Sequence, residues 1–442
     1  MNIKKINILI IFLLSIFMLT FSFLSFSRDE NILLGLQSIV TSQAVLITDF
    51  LVIGGLGGTF FNAFFIFIFN FLLMKIFHIE IKGLVIASFF TVFGFSFFGK
   101  NIFNILPIYL GGILYSKYSH IPFRDLLVTL SFTSALAPFI SEVAFKIDAS
   151  QSSYLSAITL GAIIGFIVTP LSQKMYTFHE GFNLYNLGFT AGILGAVISG
   201  VMKAYDFVVT PRRIISTTYS NDLLILSLLT FSILFIIGFF LNNSSFKGYL
   251  TLIKDTGLGS DFVEKYGYAL TFINMGLMGV ISLIFVFLWG QTLNGPLLAG
   301  ILTVVGFSAY GKHPLNCIPI LLGVSFGSLG TQADSFTIVL SALFGTSLAP
   351  ITGVYGWFWG LFAGWLHLSV AQSIGAIHGG MNLYNNGFSA GIVAAFLLPI
   401  MNTVASKKEN NKQKYFEHRK TLYEAMKKFK KQLKEEEETF PK

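Results

Sequence analysis

The chain has little charge for its length. Only 11% of its 442 residues are charged and 54% are hydrophobic, whereas soluble domains carry about 25% charged residues. So few polar side chains cannot cover a soluble core of this size. Apolar stretches of roughly 20 residues, the length that crosses a bilayer, recur at Ile6–Phe26, Leu223–Leu241 and Tyr268–Leu288. We therefore predict an all-α integral membrane protein whose main partner is the lipid bilayer.

Cysteine and catalytic motifs are also scarce. Cys317 is the only cysteine, which excludes a disulfide framework and a cysteine-ligated metal site. The sequence has no phosphate-binding loop, no zinc-ligand spacing and no Gly-x-Ser-x-Gly elbow. We therefore expect no metal and no cofactor, and we keep an intramembrane enzyme only as a third alternative.

The excess of positive charge lies mainly in the C-terminal tail. The chain has a net charge of +8, and Ser406–Lys442 contributes 12 Lys/Arg and 7 Glu. This distribution argues against nucleic-acid binding and predicts a basic cytoplasmic tail beside anionic lipid. Apolar residues in the tail follow helical spacing, so an amphipathic helix and a solvated charged tail both fit; these residues are Tyr415, Leu422, Met426, Phe429 and Leu433.

A fourteen-residue block recurs in the chain. His179–Gly192 returns as His378–Gly391, with ten of the fourteen positions identical. The shared residues are mostly His, Asn, Tyr and Gly, which apolar composition alone cannot produce. An offset of 212 residues aligns most of the rest, including Gly99-Lys100 with Gly311-Lys312, and it falls to 199 before the second block. The sequence therefore predicts a tandem duplication.

The duplication divides the chain into a first repeat (1–205), a linker (206–217), a second repeat (218–405) and the tail (406–442). We predict about five to seven membrane segments in each repeat. The third and fourth segments have only about 15 residues, so at 1.5 Å per residue they barely reach across a bilayer. Because they meet at the Gly-Lys motif, a re-entrant hairpin and two short spanning helices both fit. The first-repeat segments lie near residues 6–26, 51–74, 83–98, 102–116, 125–145, 153–172 and 182–202.

An odd number of crossings per repeat would place the two repeats upside down relative to each other. Charge offers a test, because Lys and Arg favour the cytoplasmic side. Lys75 and Lys82 flank a loop whose counterpart, Trp289–Asn294, is uncharged. Arg212 and Arg213 in the linker argue the other way. We favour inverted topology, with the N-terminus and the tail in the cytoplasm.

The duplicated blocks supply the first candidate site residues. Polar side chains are costly inside a bilayer and commonly face a cavity or a partner. Asn183 and Asn186 are one helical turn apart and His179 lies one turn further back, so they share a face. We interpret this face as lining a substrate site, with hydrogen-bonded stitching of helices as the alternative. The counterparts in the second block are His378, Asn382 and Asn385.

The Gly-Lys motifs supply the second candidate set. If the short segments re-enter, Lys100 and Lys312 reach toward the midplane, where a lysine suits an anion or a carboxylate partner. Asn104 and Asn316 follow one turn later and join this set. The remaining candidates are acidic.

Asp49 and Asp261 are repeat-equivalent candidates for the carboxylate partner and for ion coupling, although each could simply cap a helix. Glu180 faces Gly379 in the alignment. Coupling to protons calls for such an asymmetric titratable residue, so Glu180 is a third candidate for ion coupling.

Three strings carry a resemblance to a known family: Ile47–Phe50, Phe98–Asn104 and His179–Gly192. They resemble an uncharacterised family of bacterial polytopic membrane proteins that is catalogued only as a domain of unknown function. The likeness covers the body of the chain to about residue 405. It implies a bacterial inner-membrane location and brings no substrate. The general plan is also similar to inverted-repeat carriers and urea-type channels, which is an analogy of fold alone.

We therefore expect a secondary transporter for a small polar solute bound between the repeats near the midplane. Lysines near the midplane, as re-entrant segments would place them, make an anion a candidate for this solute. A passive channel for a small polar solute is the main alternative. Two nearly identical blocks favour transport, since alternating access asks similar work of both halves. The sequence is also compatible with a homo-oligomer.

Overall fold

The computed structural model describes residues 31–146, 150–375, 377–405, 417–424 and 426. The predicted helix Ile6–Phe26 lies outside the described residues, as do Tyr415, Phe429 and Leu433 of the tail's predicted apolar face. The described part of the tail, residues 417–424, is helical, with His418 and Leu422 half-buried. Throughout the described ranges the chain is all-helical, as predicted.

Eight helical stretches in the described ranges are long and apolar enough to cross a membrane. A single 3₁₀ turn joins α5 to α6 and α14 to α15, so each of these pairs forms one span. The helices of the first repeat are α1 Ile32–Val40, α2 Phe50–Ile76, α3 Gly83–Phe95, α4 Ile102–Ser119, α5 Phe123–Thr133, α6 Ala137–Phe145, α7 Gln151–His179 and α8 Asn186–Ala204. Those of the second repeat are α9 Ser220–Leu241, α10 Tyr249–Leu252, α11 Phe262–Leu288, α12 Gly295–Phe307, α13 Pro314–Ser328, α14 Ser335–Gly345, α15 Ala349–Tyr355, α16 Trp357–Ile374 and α17 Asn385–Ala405.

The predicted duplication is confirmed in the helix bounds. Both ends of α2 and α3 lie 212 residues before those of α11 and α12. Even local irregularities repeat, because α2 bends at Gly55 (φ 65°) and α11 bends at Gly267 (φ 78°). Only glycine adopts such a positive φ readily. The two repeats therefore share one fold down to single backbone positions.

The helices α3 and α12 cross at the centre of the molecule. A Cβ atom on Gly94 would lie 2.8 Å from Ala299 Cα, and one on Gly306 would lie 3.1 Å from Ala87 Cα. The start of α3 meets the end of α12, since a Cβ on Gly83 would lie 2.1 Å from the carbonyl oxygen of Ala309. These equivalent helices are thus antiparallel.

The α3–α4 unit enters and leaves the helical assembly on the same side. Phe77, directly after α2, packs against Phe123 at the start of α5 with ring centroids 5.4 Å apart. The loops before α3 and after α4 are therefore neighbours. Both arrangements that fit the sequence would do this, but the turn between α3 and α4 lies beside the middle of α2, where Asn62 Nδ2 donates to Ser96 O and Lys100 O at 2.9 Å. This depth favours the re-entrant hairpin. We call this side the lysine face, because it carries Lys75, Lys82 and Lys265.

The α12–α13 unit lies beside the linker at both of its ends. The linker ends at the start of α12, because Ser220, the first residue of α9, accepts a hydrogen bond at Oγ from Leu293 N at 2.9 Å. It also reaches the start of α14, because Arg213 forms an ion pair with Asp334. We call this side the linker face, because the non-helical residues 205–219 cross it.

Candidate functional site

A cavity of about 360 Å³ lies between the two repeats. Its inner part is pseudo-symmetric, because each repeat contributes the same residue types from equivalent positions. α3 and α12 supply the first two pairs, and the chain segments leading into α8 and α17 supply the tyrosines. The pairs are Thr91 and Thr303, Phe95 and Phe307, Phe132 and Phe344, Leu184 and Leu383, Tyr185 and Tyr384, and Gly188 and Gly387.

The mouth of the cavity is not symmetric. The outer lining residues all come from the lysine face, and two of them, Asp125 and Gly259, are exposed there. Thr337, the counterpart of Asp125, does not line the cavity. The cavity therefore has an inner part, which we call the floor, formed by paired residues of both repeats. Its mouth opens on the lysine face alone. Other outer lining residues are Leu84, Tyr176, Gly181 and Tyr310.

On the linker face the equivalent mouth is covered. Leu46 N donates to Gly380 O at 2.8 Å, and Arg212 N donates to Leu46 O at 3.1 Å. Gly380 is the counterpart of Gly181, which lines the open mouth. Main-chain hydrogen bonds between the linker, the segment before α2 and the second block thus close this side.

An ion pair holds the linker against the start of α14. The guanidinium of Arg213 donates two hydrogen bonds to the Asp334 carboxylate, at 2.6 and 2.9 Å. These hydrogen bonds from Arg213 hold the pKa of Asp334 well below its usual range. The carboxylate is therefore charged at neutral pH, and the pair persists there. Both side chains are about half exposed, at 51% and 46%. The ion pair, which we call the Arg213–Asp334 latch, therefore contributes little free energy.

Lys100 and Lys312 are fully buried behind the cavity floor. Each reaches across to the other repeat: Lys100 Nζ donates to Tyr384 Oη at 2.8 Å, and Lys312 Nζ donates to Tyr185 Oη at 2.5 Å. Lys312 also donates to Thr346 Oγ1 at 2.7 Å. The tyrosines line the cavity, so each lysine meets it through a phenol of the opposite repeat.

The predicted pairing of these lysines with Asp49 or Asp261 is wrong. No carboxylate of the described residues lies within 4.0 Å of either Nζ atom. Asp49 caps α2 and accepts backbone N–H groups of Leu51, Ser216 and Gly295 at 3.0 to 3.1 Å. Asp261 caps α11, and its Oδ1 accepts from Glu264 N at 3.0 Å. Both carboxylates are therefore used to cap the N-termini of helices.

Two asparagines that sequence reasoning did not select hold the Gly-Lys turns. Asn62 Nδ2 donates to Ser96 O and Lys100 O, both at 2.9 Å. Asn274 makes the same pair of bonds in the second repeat, each at 2.7 Å. The signal was present in the sequence, because Asn62 and Asn274 match at the offset of 212 residues. They fix the backbone from which each lysine reaches across.

Asn104 and Asn316 also stabilise these turns and do not line the cavity. Asn104 Nδ2 donates to Gly99 O at 2.9 Å, and Asn316 Nδ2 donates to Gly311 O at 2.8 Å. Gly99 and Gly311 adopt φ angles of 81° and 89°, which favour glycine. The structure therefore places these asparagines one layer behind the floor, where they shape the turn.

The first duplicated block faces the cavity. Asn183 and Asn186 both line it. Asn183 Nδ2 donates to Gly387 O at 2.9 Å and so ties the first repeat to the second. His179 is buried behind them, with its Nε2 3.1 Å from Asn186 Oδ1. The same residues thus line the cavity and join helices by hydrogen bonds.

The predicted site residues of the second block lie away from the cavity, although their neighbours Leu383, Tyr384 and Gly387 line it. His378 Nε2 donates to Gly192 O at 2.8 Å, across the repeat interface. Asn382 Oδ1 accepts from Tyr384 N at 3.0 Å. Neither Asn382 nor Asn385 lines the cavity. The two blocks therefore occupy different environments although their sequences match.

Glu180 ends α7 at the mouth on the lysine face. Its backbone is left-handed, with φ 48°, and its N–H donates to Tyr176 O at 3.0 Å. Its neighbours Tyr176 and Gly181 line the cavity, but Glu180 itself does not. In the described ranges, no group of three or more His, Cys, Asp or Glu side chains could hold a metal ion.

Fold and site together define a polytopic helical membrane protein built from two repeats around a central cavity. The chain belongs to the family described as "Protein of unknown function (DUF1576)", which matches residues 28–204 and 241–403. The resemblance seen in the sequence is thereby confirmed, and the match is split at the linker and α9. No curated protein and no solved structure matches the chain.

Proposed function

We propose that the protein is a secondary carrier that moves a small polar solute across the bacterial cell membrane by alternating access. The observation that carries this proposal is the cavity, whose floor is built from equivalent residues of both repeats and whose mouth opens on one face only. Inverted repeats with a site between them are typical of such carriers.

The pseudo-symmetry supplies a mechanism. If the two repeats exchanged their local conformations, the mouth at Asp125 and Gly181 would close and the mouth at Thr337 and Gly380 would open. The floor residues, including Tyr185 and Tyr384, would serve both states. Closure of the linker face by hydrogen bonds favours a carrier over a channel, because a channel needs both mouths open at once.

We further propose that the repeats have inverted topology, with the lysine face in the cytoplasm. Antiparallel packing of the equivalent helices α3 and α12 supports the inversion. The positive-inside rule supports the orientation, because more Lys and Arg residues accompany the lysine face. These are Lys75, Lys82, Lys117, Arg124, Lys174, Lys247, Lys254 and Lys265, against Lys146, Lys203, Arg212 and Arg213 on the linker face.

A cysteine-accessibility experiment tests the carrier. Thr129 lines the open mouth, and its counterpart Ser341 is buried on the closed side. Single cysteines at these positions are made in a Cys317→Ala background and treated with an impermeant maleimide from each side. We expect Thr129→Cys to react quickly from the lysine face and Ser341→Cys to react slowly from the linker face. Cysteines at the exposed positions Glu80 and Gly330 report sidedness.

The Arg213–Asp334 latch separates a carrier from a channel. Asp334→Asn removes an exposed ion pair worth at most about 1 kcal/mol, so populations should shift by no more than about fivefold. In a carrier, the substitution should raise the labelling rate at Ser341→Cys and lower the rate at Thr129→Cys. Rates that rise together at both positions would establish a channel instead, and rates that do not change would contradict the latch.

A further inference from the structure

We infer that the solute is an organic anion, bound with its carboxylate between the hydroxyls of Tyr185 and Tyr384 and with an apolar body against the phenylalanines of the floor. The inference rests on the proposed function for transport of this solute. The binding site itself can be tested separately.

The first argument is charge. Lys100 and Lys312 are both 0% exposed and have no carboxylate partner in the described part of the chain. Contacts with aromatic rings compensate in part, with Nζ 4.4 Å from the Tyr185 ring centre and 4.8 Å from that of Tyr384. Two buried cations without counterions are costly. An anion in the adjoining cavity would offset that cost.

The second argument is the direction of the hydrogen bonds. A lysine in its ammonium form can only donate, so in that form the phenol oxygens of Tyr384 and Tyr185 accept from Lys100 and Lys312. Each phenol then keeps its own proton, and each tyrosine lines the cavity. At Tyr185, Thr346 is a second hydrogen-bond partner of the hydroxyl. A lysine that donates to the phenol oxygen strengthens the phenol as a donor. The floor therefore presents two hydroxyl donors that suit a carboxylate.

The third argument is an unused polar group at the floor. Thr91 lines the cavity and is 2% exposed, and its Oγ1 has no hydrogen-bond partner within the described ranges. Buried hydroxyls are seldom left without partners. A bound ligand with polar atoms would supply one.

The fourth argument is the apolar wall. The rings of Phe95 and Tyr384 lie 4.7 Å apart, and those of Phe307 and Tyr185 lie 4.6 Å apart. Phe344 and Phe132 extend the same surface, at 5.6 Å from Phe95 and 5.8 Å from Phe307. Such a wall cannot solvate a small inorganic anion, but it suits a hydrocarbon body. A cavity of about 360 Å³ has the size of small-molecule sites.

Paired probes test the charge of the ligand. Thermal unfolding of the purified full-length protein in detergent is measured with benzoate and benzamide, phenylacetate and phenylacetamide, hexanoate and hexanamide, and with sulfate. We expect at least one carboxylate to raise the melting temperature, and its neutral amide to bind at least about tenfold more weakly. Equal effects of acid and amide would overturn the inference, as would sulfate binding as well as the best carboxylate or no binding by any probe.

Substitutions locate the site. Tyr185→Phe and Tyr384→Phe keep the rings and remove the hydroxyls, so each should weaken carboxylate binding about tenfold. The matched control is Tyr355→Phe, which removes a hydroxyl that donates to Asn402 Oδ1 at 2.6 Å outside the cavity. Unchanged binding in both floor variants, or an equal loss in the control, would place the ligand elsewhere.

The lysines act through the tyrosines, so they are positioning residues. Lys100→Met should remove the preference for carboxylate over amide, whereas Lys100→Arg should retain it. A purely structural lysine would lower both affinities together and leave their ratio unchanged, and that result would overturn the role. If carboxylates bind as expected while the cysteine rates fail to change in opposite directions, the anion site stands and the carrier does not.

Discussion

At the scale of single residues, amides rather than ion pairs hold the buried interior together. Asn62 and Asn274 each satisfy two carbonyl oxygens of a Gly-Lys turn. Water is not present in a bilayer core to replace such bonds. Because the turns are fixed, Lys100 and Lys312 can reach the opposite repeat. The amides are thus a condition for the lysine–tyrosine contacts at the floor.

Removing one of these amides should destabilise the fold. Asn62→Leu leaves the carbonyls of Ser96 and Lys100 without their donor, at an expected cost of about 1–3 kcal/mol in the free energy of unfolding. Asn221→Leu, on the exposed surface of α9, is the matched control and should have little effect. Denaturation of both variants in detergent micelles measures the difference. Equal stabilities would show that the Gly-Lys turn holds without the amide.

The sequence predicted some of the site at this scale. The lysines were expected inside only if the short apolar segments on either side of them re-enter, and both are buried. Their tyrosine partners could not be predicted, because those contacts join residues 284 and 127 positions apart. The expected carboxylate partner followed from charge alone. Asp49 and Asp261 instead accept hydrogen bonds from backbone N–H groups at helix N-termini, so they do not pair with the lysines.

At the scale of elements, the short helices α3 and α12 determine the centre of the molecule. Each has 13 residues, or about 20 Å at 1.5 Å per residue, which is too short to cross a bilayer core of about 30 Å. They pass each other closely because Gly94 and Gly306 present no side chain at the crossing. Small residues allow such close approach of membrane helices. The crossing fixes how the α3–α4 and α12–α13 units meet at the cavity.

Filling the crossing should force the helices apart. A Leu at Gly94 has no room, because even a Cβ would lie 2.8 Å from the backbone of Ala299. We expect Gly94→Leu to cost at least about 1–3 kcal/mol and to reduce the fraction of protein that elutes as a single species in size-exclusion chromatography. Gly200→Leu in α8, where no atom lies within 4 Å, should elute normally. A normal profile for Gly94→Leu would contradict the close crossing.

Segment lengths predicted these short elements but not their path. Fifteen or sixteen apolar residues are compatible with a hairpin and with a thin span alike. The contact of Asn62, midway along α2, with the turn at Ser96 and Lys100 favours the hairpin, and it is a contact between separate segments that periodicity does not encode.

At the scale of the whole molecule, the symmetry of the repeats is broken where the cavity meets its two faces. Floor residues match in pairs, whereas Asp125 is replaced by Thr337 and Glu180 by Gly379. The linker covers one mouth, and the other is open. The duplication in the sequence predicted the shared fold. It could not predict which mouth is open, since two matching halves give the same pattern in either state.

Sided labelling of counterpart loops tests the inverted arrangement most directly. Single cysteines at His78 and Gln291, after α2 and α11, are made in a Cys317→Ala background and labelled with an impermeant maleimide in intact cells and in inside-out vesicles. We expect the two positions to react from opposite sides of the membrane, with His78→Cys reacting only from the cytoplasmic side. Labelling of both from the same side would contradict inverted repeats, and with them the proposed alternating access.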